Sequence, residues 1–195
     1  MNLLIEGDNG TGKDTLATGL QGQSFDIITY HEEIQHQIDR ARTFRGTEQV
    51  LKFLDYNASC GRLMEEASCK NTDAITIRYW PSTLAAAYAD RKLSESECDT
   101  LADICTKTFP LPDLVIFLVC DHNERVHRIV LRNSPNFDDK SIERARRYAY
   151  YSDKITEKLG DIVCRVNTGG KSREEICTEV QGLIYQRRIR YERAG

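Results

Sequence analysis

The chain opens on a short apolar segment, residues 2–6 (N-L-L-I-E), that stops at a glycine-rich loop, after which Leu16, Ala17 and Leu20 repeat at helical spacing. That order reads as strand, loop, helix. Similar apolar runs recur at residues 25–29, 74–77, 114–120 and 162–166, separated by longer polar stretches with helical patterning. Short unbroken apolar runs fit strands buried on both faces, the situation of a parallel sheet between two layers of helices. Five of them alternating with helices predict an α/β fold: a five-stranded parallel sheet with helices on both faces.

Between the second and third runs, Val50, Phe53, Leu54, Asn57, Cys60, Gly61, Met64 and Ala67 trace one helical face, on which Asn57 is the polar exception. Further helices are predicted at 83–91, 95–107, 123–132, 140–158 and 172–190. Pro110 and Pro112 lead into the 114–120 strand, where a proline costs no ladder bond. Residues 133–139 (N-S-P-N-F-D-D) have the composition of a surface loop and carry arginines on both sides.

Composition narrows the class. The 195 residues, with 40% hydrophobic and 29% charged residues, suit one folded domain over 1–195, and no repetitive or Gly/Ser-rich stretch marks a linker. A net charge of -3 counts against a dedicated nucleic-acid binder. Seven cysteines without a C-x-x-C pair suggest reduced packing thiols. Histidines 31, 36, 122 and 127 lie five apart within each pair, which brings no two onto one helical face, so no transition-metal site is expected. No leader-like segment and no membrane-length apolar run is visible, so a cytoplasmic location without membrane attachment is the expectation.

The loop after the first strand, G-D-N-G-T-G-K-D-T, matches G-x-x-x-x-G-K at Gly7, Gly12 and Lys13. Placed between a strand and a helix, it aims backbone N–H groups and the helix dipole at phosphate oxygens. Asp8, Asn9, Gly10 and Thr11 complete the loop as ATP-binding residues, with Gly10 giving room to wrap a phosphate. Lys13 lies against the β- and γ-phosphates. Asp14 stands where the pattern has Ser or Thr: it either holds Mg²⁺ through water or caps the helix dipole, and Thr15 inherits a hydroxyl role near phosphate or metal. The D-x-x-G and N-K-x-D elements of switch GTPases are absent.

At these motifs the chain resembles the thymidylate kinase group of nucleoside monophosphate kinases. The family opening E-G-x-D-G-x-G-K-S-T is similar to Glu6 to Thr15, its D-R-Y motif to I-R-Y-W-P-S-T-L-A from Ile77, and its P-D-L strand, helix and Arg-bearing lid to Pro112 to Arg147. The resemblance implies a kinase using ATP and Mg²⁺, with a small-molecule nucleotide as acceptor. It implies Arg78 and Tyr79 at that acceptor, Arg78 on its phosphate, and a lid over about 132–147 whose arginines reach the transferring group. Arg132 and Arg144 are the preferred pair among Arg128, Arg132, Arg144, Arg146 and Arg147. Related kinases are often homodimers, and the analogy extends that assembly to this chain. The terminal Arg187, Arg188, Arg190 and Arg193 read as a solvated helix end.

Three departures bear on the acceptor. Ile77 replaces the motif aspartate. Glu32 and Glu33 stand at the second strand's end where thymidylate kinases carry Arg-Glu-Pro, and an acid there looks like the deoxynucleoside kinases, whose Glu takes the proton of a 5'-hydroxyl. Phe53 fits the residue that stacks on the base, but Asn57 replaces the arginine four residues on, and Ala86 with Tyr88 replaces an aromatic residue, leaving room for a modified pyrimidine. Three readings follow: a (deoxy)nucleoside monophosphate kinase for a pyrimidine such as dTMP or a modified analogue, a deoxynucleoside kinase with Glu32 or Glu33 as base, and a non-catalytic nucleotide-binding protein.

Overall fold

The computed structural model describes residues 1–21, 25–131 and 141–194. Five strands, β1 (Asn2–Glu6), β2 (Asp26–Ile27), β3 (Ala74–Ile77), β4 (Leu114–Val119) and β5 (Val163–Asn167), form one parallel sheet in the order β2-β3-β1-β4-β5. The central strand pairs Ile5 with Ile77 of β3 and with Ile116 of β4. Because side chains alternate along a strand, each inner strand feeds two cores. Leu3, Ile5, Ile75, Ile116 and Leu118 pack with α1 (Lys13–Gln21) and α8 (Arg173–Ala194) on one face. Leu4, Val115 and Phe117 pack on the other, with α3 (Gly46–Cys69), α4 (Trp80–Ala89), α5 (Glu95–Thr108) and α7 (Ile142–Leu159). The remaining helices are α2 (Glu32–Thr43) and α6 (His122–Leu131).

The five-stranded parallel architecture is the one the apolar runs predict. The second run departs: β2 covers only Asp26–Ile27 before a 3-10 turn at Ile28–Tyr30. Pattern reading also missed α2, because its buried stripe is only Ile34, Ile38 and Ala41 in twelve residues. The predicted loop 133–139 lies outside the described residues. Of the proposed 132–147 lid, residues from Ile142 on belong to α7, capped by the Ser141 side chain. Of the terminal arginines, Arg188 and Arg190 are exposed as expected, Arg188 pairing with Asp73, whereas Arg187 is half-buried and donates to the Asp113 carbonyl at 3.0 Å. Among the described residues, no helix is long and apolar enough to cross a membrane.

Candidate active site

The glycine-rich loop and Arg78 stand at the carboxyl ends of β1 and β3, where open α/β sheets bind ligands. The loop after β1 turns on Gly7, Gly10 and Gly12, at φ of +134°, +85° and +96°. These are backbone angles at which a side chain is strained. A Cβ on Gly7 would lie 2.5 Å from the Leu118 carbonyl oxygen, and one on Gly10 2.9 Å from that of Arg125. The Asp8 carbonyl accepts from Lys13 Nζ at 2.7 Å and from the Thr11 hydroxyl at 2.8 Å, closing the loop on itself. Burial, then the nearby Arg78 charge, pushes the Lys13 ammonium down to about 7.

Beneath the loop, the last residue of β1 is Glu6, with 0% exposure. Its Oε1 accepts the backbone N–H of Tyr79 at 2.9 Å and of Ser82 at 3.4 Å, while Oε2 is buried without a hydrogen-bond partner. Burial pushes this carboxyl up to about 7, and the bonds to Ser82 and Tyr79 and the charges of Arg78 and Lys13 pull against that. The same junction holds Arg78 at φ +65°, in the left-handed region. Arg78 N–H bonds the Ile5 carbonyl at 3.1 Å, and the Tyr56 hydroxyl donates to the Arg78 carbonyl at 3.0 Å. A strained residue fixed from three sides is a common feature of ligand sites. Its guanidinium donates to the Asn9 side-chain oxygen.

The Asp8 carboxylate sits between two buried arginines. Arg125 of α6 approaches one oxygen and Arg144 of α7 the other, each at 3.1 Å, and Arg144 Nε reaches Asp90 at 2.8 Å. One carboxylate thus ties the loop to the helices on either side of residues 132–140 and, through Arg144, to the end of α4.

The loop separates two clefts. The larger, of about 1230 Å³, has Asn9, Asp14 and Arg78 at its floor, Gln35, Ile38 and Arg42 from α2, Phe53 and Tyr56 from α3, Thr83 and Ala86 from α4, and Arg144 from α7. The smaller, of about 270 Å³, is lined by Thr11, Gly12 and Thr15, by Arg128 of α6, and by Thr168 and Lys171 from the turn after β5. Arg128 is held there by the Thr168 carbonyl at 2.8 Å and hydroxyl at 3.0 Å.

Of the residues singled out in the sequence, Arg78, Arg144 and Phe53 line the larger cleft, whereas Lys13 lines neither cleft and is buried beside Arg78 with its Nζ on the Asp8 carbonyl. Arg132 lies outside the described residues. Asp14 and Thr15 face different clefts, one on each side of the start of α1. Four acceptor residues need correction. Glu32, like Glu33, is exposed in the first turn of α2 and off the cleft wall, because the 3-10 turn carries Thr29 and Tyr30 inward instead. Asn57, with 0% exposure, does not line the cleft; it donates to Thr83, which does, at 2.9 Å, and its own oxygen is buried without a hydrogen-bond partner. Tyr79 is a core residue against Phe109, with ring centroids 5.9 Å apart. Tyr88 stacks on Tyr151 at 5.2 Å, away from the cleft.

Sequence reasoning missed Glu6, Arg125, Asp90 and the Thr168–Lys171 turn. Two signals were present. Glu6 is a charged residue ending an apolar strand immediately before the loop, and Arg125, Arg128 and Arg132 share one helical face by spacing.

No protein-family model and no curated protein matches the chain. Solved structures do. A thymidylate kinase from Candida albicans matches with a TM-score of 0.74 at 18% identity, over 96% of this chain and 92% of that one. A thymidylate kinase from Ehrlichia chaffeensis matches at 0.67 and 15%, over 95% and 98%. A deoxyadenosine kinase from M. mycoides, solved with dCMP and dCDP, matches at 0.65 and 14%, over 95% and 100%. With TM-scores of 0.65 to 0.74 over nearly the full length of each chain, the chain has the fold of the thymidylate kinase-like P-loop kinases.

Proposed function

We propose that this protein transfers the γ-phosphoryl group of ATP to a nucleoside monophosphate, a pyrimidine such as dTMP or a modified analogue, giving the diphosphate. The observation that carries this reading is Arg78. It stands on the floor of the larger cleft beside the phosphate loop, and its hydrogen-bond partner is a neutral amide, with no carboxylate bonded to it among the described residues. A guanidinium so placed offers its charge to an acceptor phosphate, to which its fork can bind bidentately.

The residues fit ATP and Mg²⁺. Gly7 and Gly10 let the loop pack against Leu118 and Arg125, a side chain at Gly12 would stand in the open space beside the loop, and the exposed carboxylate of Asp14, on the side of the larger cleft, is a hard oxygen donor that would suit Mg²⁺, while the Thr15 hydroxyl opens on the smaller cleft. Held through Asp14, the ion would supply neutralisation of phosphate charge during transfer. The loop's N–H groups orient the donor, with its base side in the cleft of Arg128 and Thr168. Lys13 stabilises charge on the moving group, Arg78 holds the acceptor oxygen in line, and Arg144 closes over both from α7. Phe53 supplies the face on which the base packs, and Asn57 acts on the base edge only by orienting the Thr83 hydroxyl.

The nucleoside-kinase alternative keeps the support of the deoxyadenosine kinase likeness, but Glu32 and Glu33 face solvent. The acids on the cleft wall are Asp14 and Asp90, and Asp90 is bound to Arg144 and Lys92. An ADP-release assay with ATP, Mg²⁺ and each base as both deoxynucleoside and 5'-monophosphate separates the readings. Turnover on monophosphates alone is expected. Turnover on free nucleosides would move the chemistry to a cleft carboxylate, and ATP binding without turnover on any acceptor would favour a non-catalytic role.

A further inference from the structure

The wall that α3 and its N-cap residue Arg45 give the larger cleft is longer than a nucleotide requires. Gln49, Phe53 and Tyr56 line it from one helical face, and Arg45, four residues before Gln49, continues the line at the start of the helix. Tyr56 marks the inner end, since its hydroxyl bonds the Arg78 carbonyl. At 1.5 Å per residue, Arg45 stands roughly 16 Å farther along the helix axis. This inference rests on the proposed reading, in which the acceptor phosphate lies at Arg78 and the base at Phe53. Gln49 and Arg45 then lie about one and two turns beyond the base. Across from them Ala86 and Ala87 leave the passage open, and the cleft, at about 1230 Å³, exceeds the roughly 300–1,000 Å³ usual for small-molecule sites.

The outer end of this passage is cationic, lined by Arg42, Arg45 and Lys92. The Thr47 hydroxyl bonds the Lys92 carbonyl at 3.5 Å, holding the start of α3 against the turn after α4. Arg42 and Lys92 are offset by Asp39 and Asp90, each pair at 3.0–3.1 Å. The Arg45 guanidinium instead donates to the Arg42 and Phe44 carbonyls, at 3.1 and 3.2 Å, which fixes the group, and no carboxylate among the described residues is bonded to it.

We propose that Arg45, supported by Arg42 and Lys92, is a subsite for a second anionic group that the acceptor nucleotide carries beyond its base. Two sources share this chemistry: an acidic arm on the pyrimidine, or the phosphate of a neighbouring nucleotide. Calorimetric titration of the full chain with three probes tests the subsite and tells the sources apart: a 5-carboxyalkyl deoxyuridine monophosphate, its primary amide, and a 5'-phosphorylated dinucleotide. The expected result is at least about 10-fold tighter binding of one anionic probe than of the amide, about 1.4 kcal/mol, with the advantage shrinking as salt rises. Arg45→Ala should reduce the ratio to within about twofold, and Arg45→Lys should keep part of it. If the carboxylate leads, the anion belongs to the base; if the dinucleotide leads, it is a neighbouring phosphate. Equal affinity for all three probes, or a ratio unchanged in Arg45→Ala, overturns the subsite. Because the readout is affinity, a preference without ADP release would sink the phosphotransfer reading and leave the subsite standing, whereas failure of every probe to bind would remove both.

Discussion

Three residues at the β1–β3 edge divide one task. The left-handed backbone of Arg78 is held by Ile5, by the Tyr56 hydroxyl and, through the next peptide, by Glu6, so in the proposed reading its hold on the acceptor depends on all three. Glu6→Gln keeps an acceptor for the Tyr79 and Ser82 N–H groups, while Glu6→Ala leaves both buried without one. The alanine variant should therefore lose about 2–4 kcal/mol in urea unfolding and the glutamine variant markedly less. Tyr56→Phe removes the hydroxyl that donates to the Arg78 and Ile77 carbonyls, at a cost of about 1 kcal/mol. Its expected signature is a several-fold rise in the acceptor's KM with the ATP KM unchanged, since the loop that holds ATP is untouched. Arg78→Ala, which removes the guanidinium itself, should raise KM and lower kcat together; if steady-state kinetics showed neither, the acceptor would have to bind elsewhere.

At the scale of elements, close approach rather than propensity sets the rules. Gly61 sits inside α3, where alanine would gain about 1 kcal/mol of helix propensity. A Cβ there, however, would lie 2.6 Å from the Tyr79 hydroxyl and 2.9 Å from Pro110. Overpacking of this kind costs about 1–3 kcal/mol. Gly61→Ala should therefore lower the melting temperature in a thermal scan despite the better helix former; a rise would mean that α3 can move off Tyr79. The same facts explain what the sequence could and could not disclose. The strand-to-helix turn at Gly7–Thr15 was legible because its glycines answer to backbone angles that other residues adopt only under strain, and Phe53 reaches the cleft wall because an aromatic on a long apolar helix has few places to go. Tyr79 looked like a site residue because it follows Arg78, but the chain enters α4 there with Tyr79 directed into the core. Glu32 and Glu33 misled because their position was read from a strand that ends two residues earlier than its apolar run, at Ile27. Arg125 and Asp90 owe their roles to pairing across more than fifty residues, which no local pattern encodes.

For the whole molecule, the two buried groups flanking the phosphate loop impose opposite pH dependences on stability. Glu6 is raised from 4.5 to about 7. Between those values the unfolded chain has released a proton that the folded chain keeps, so stability falls as pH rises through that window. Lys13 is lowered from 10.5 to about 7. Between about 7 and 10.5 the unfolded chain holds a proton that the folded chain has released, so stability climbs with pH. Together they place a minimum near pH 7 in the ligand-free protein, with contributions of at most about 3 kcal/mol from Glu6 and about 5 kcal/mol from Lys13. Differences between proteins isolate the two contributions from the rest of the titration: the stability of Glu6→Gln relative to wild type should grow from pH 5 to 7, and that of Lys13→Met should shrink from pH 7 to 9, both by urea unfolding. Lys13→Met should also lose at least about 100-fold in turnover, so the same variant is stabilised near neutrality and inactive. A triphosphate beside Lys13 favours the ammonium, so ATP binding at pH 8 should take up protons, detectable as a buffer-dependent binding enthalpy. A binding enthalpy independent of the buffer would mean that Lys13 is already charged before the nucleotide arrives, and the rising limb of the stability curve should then be absent as well.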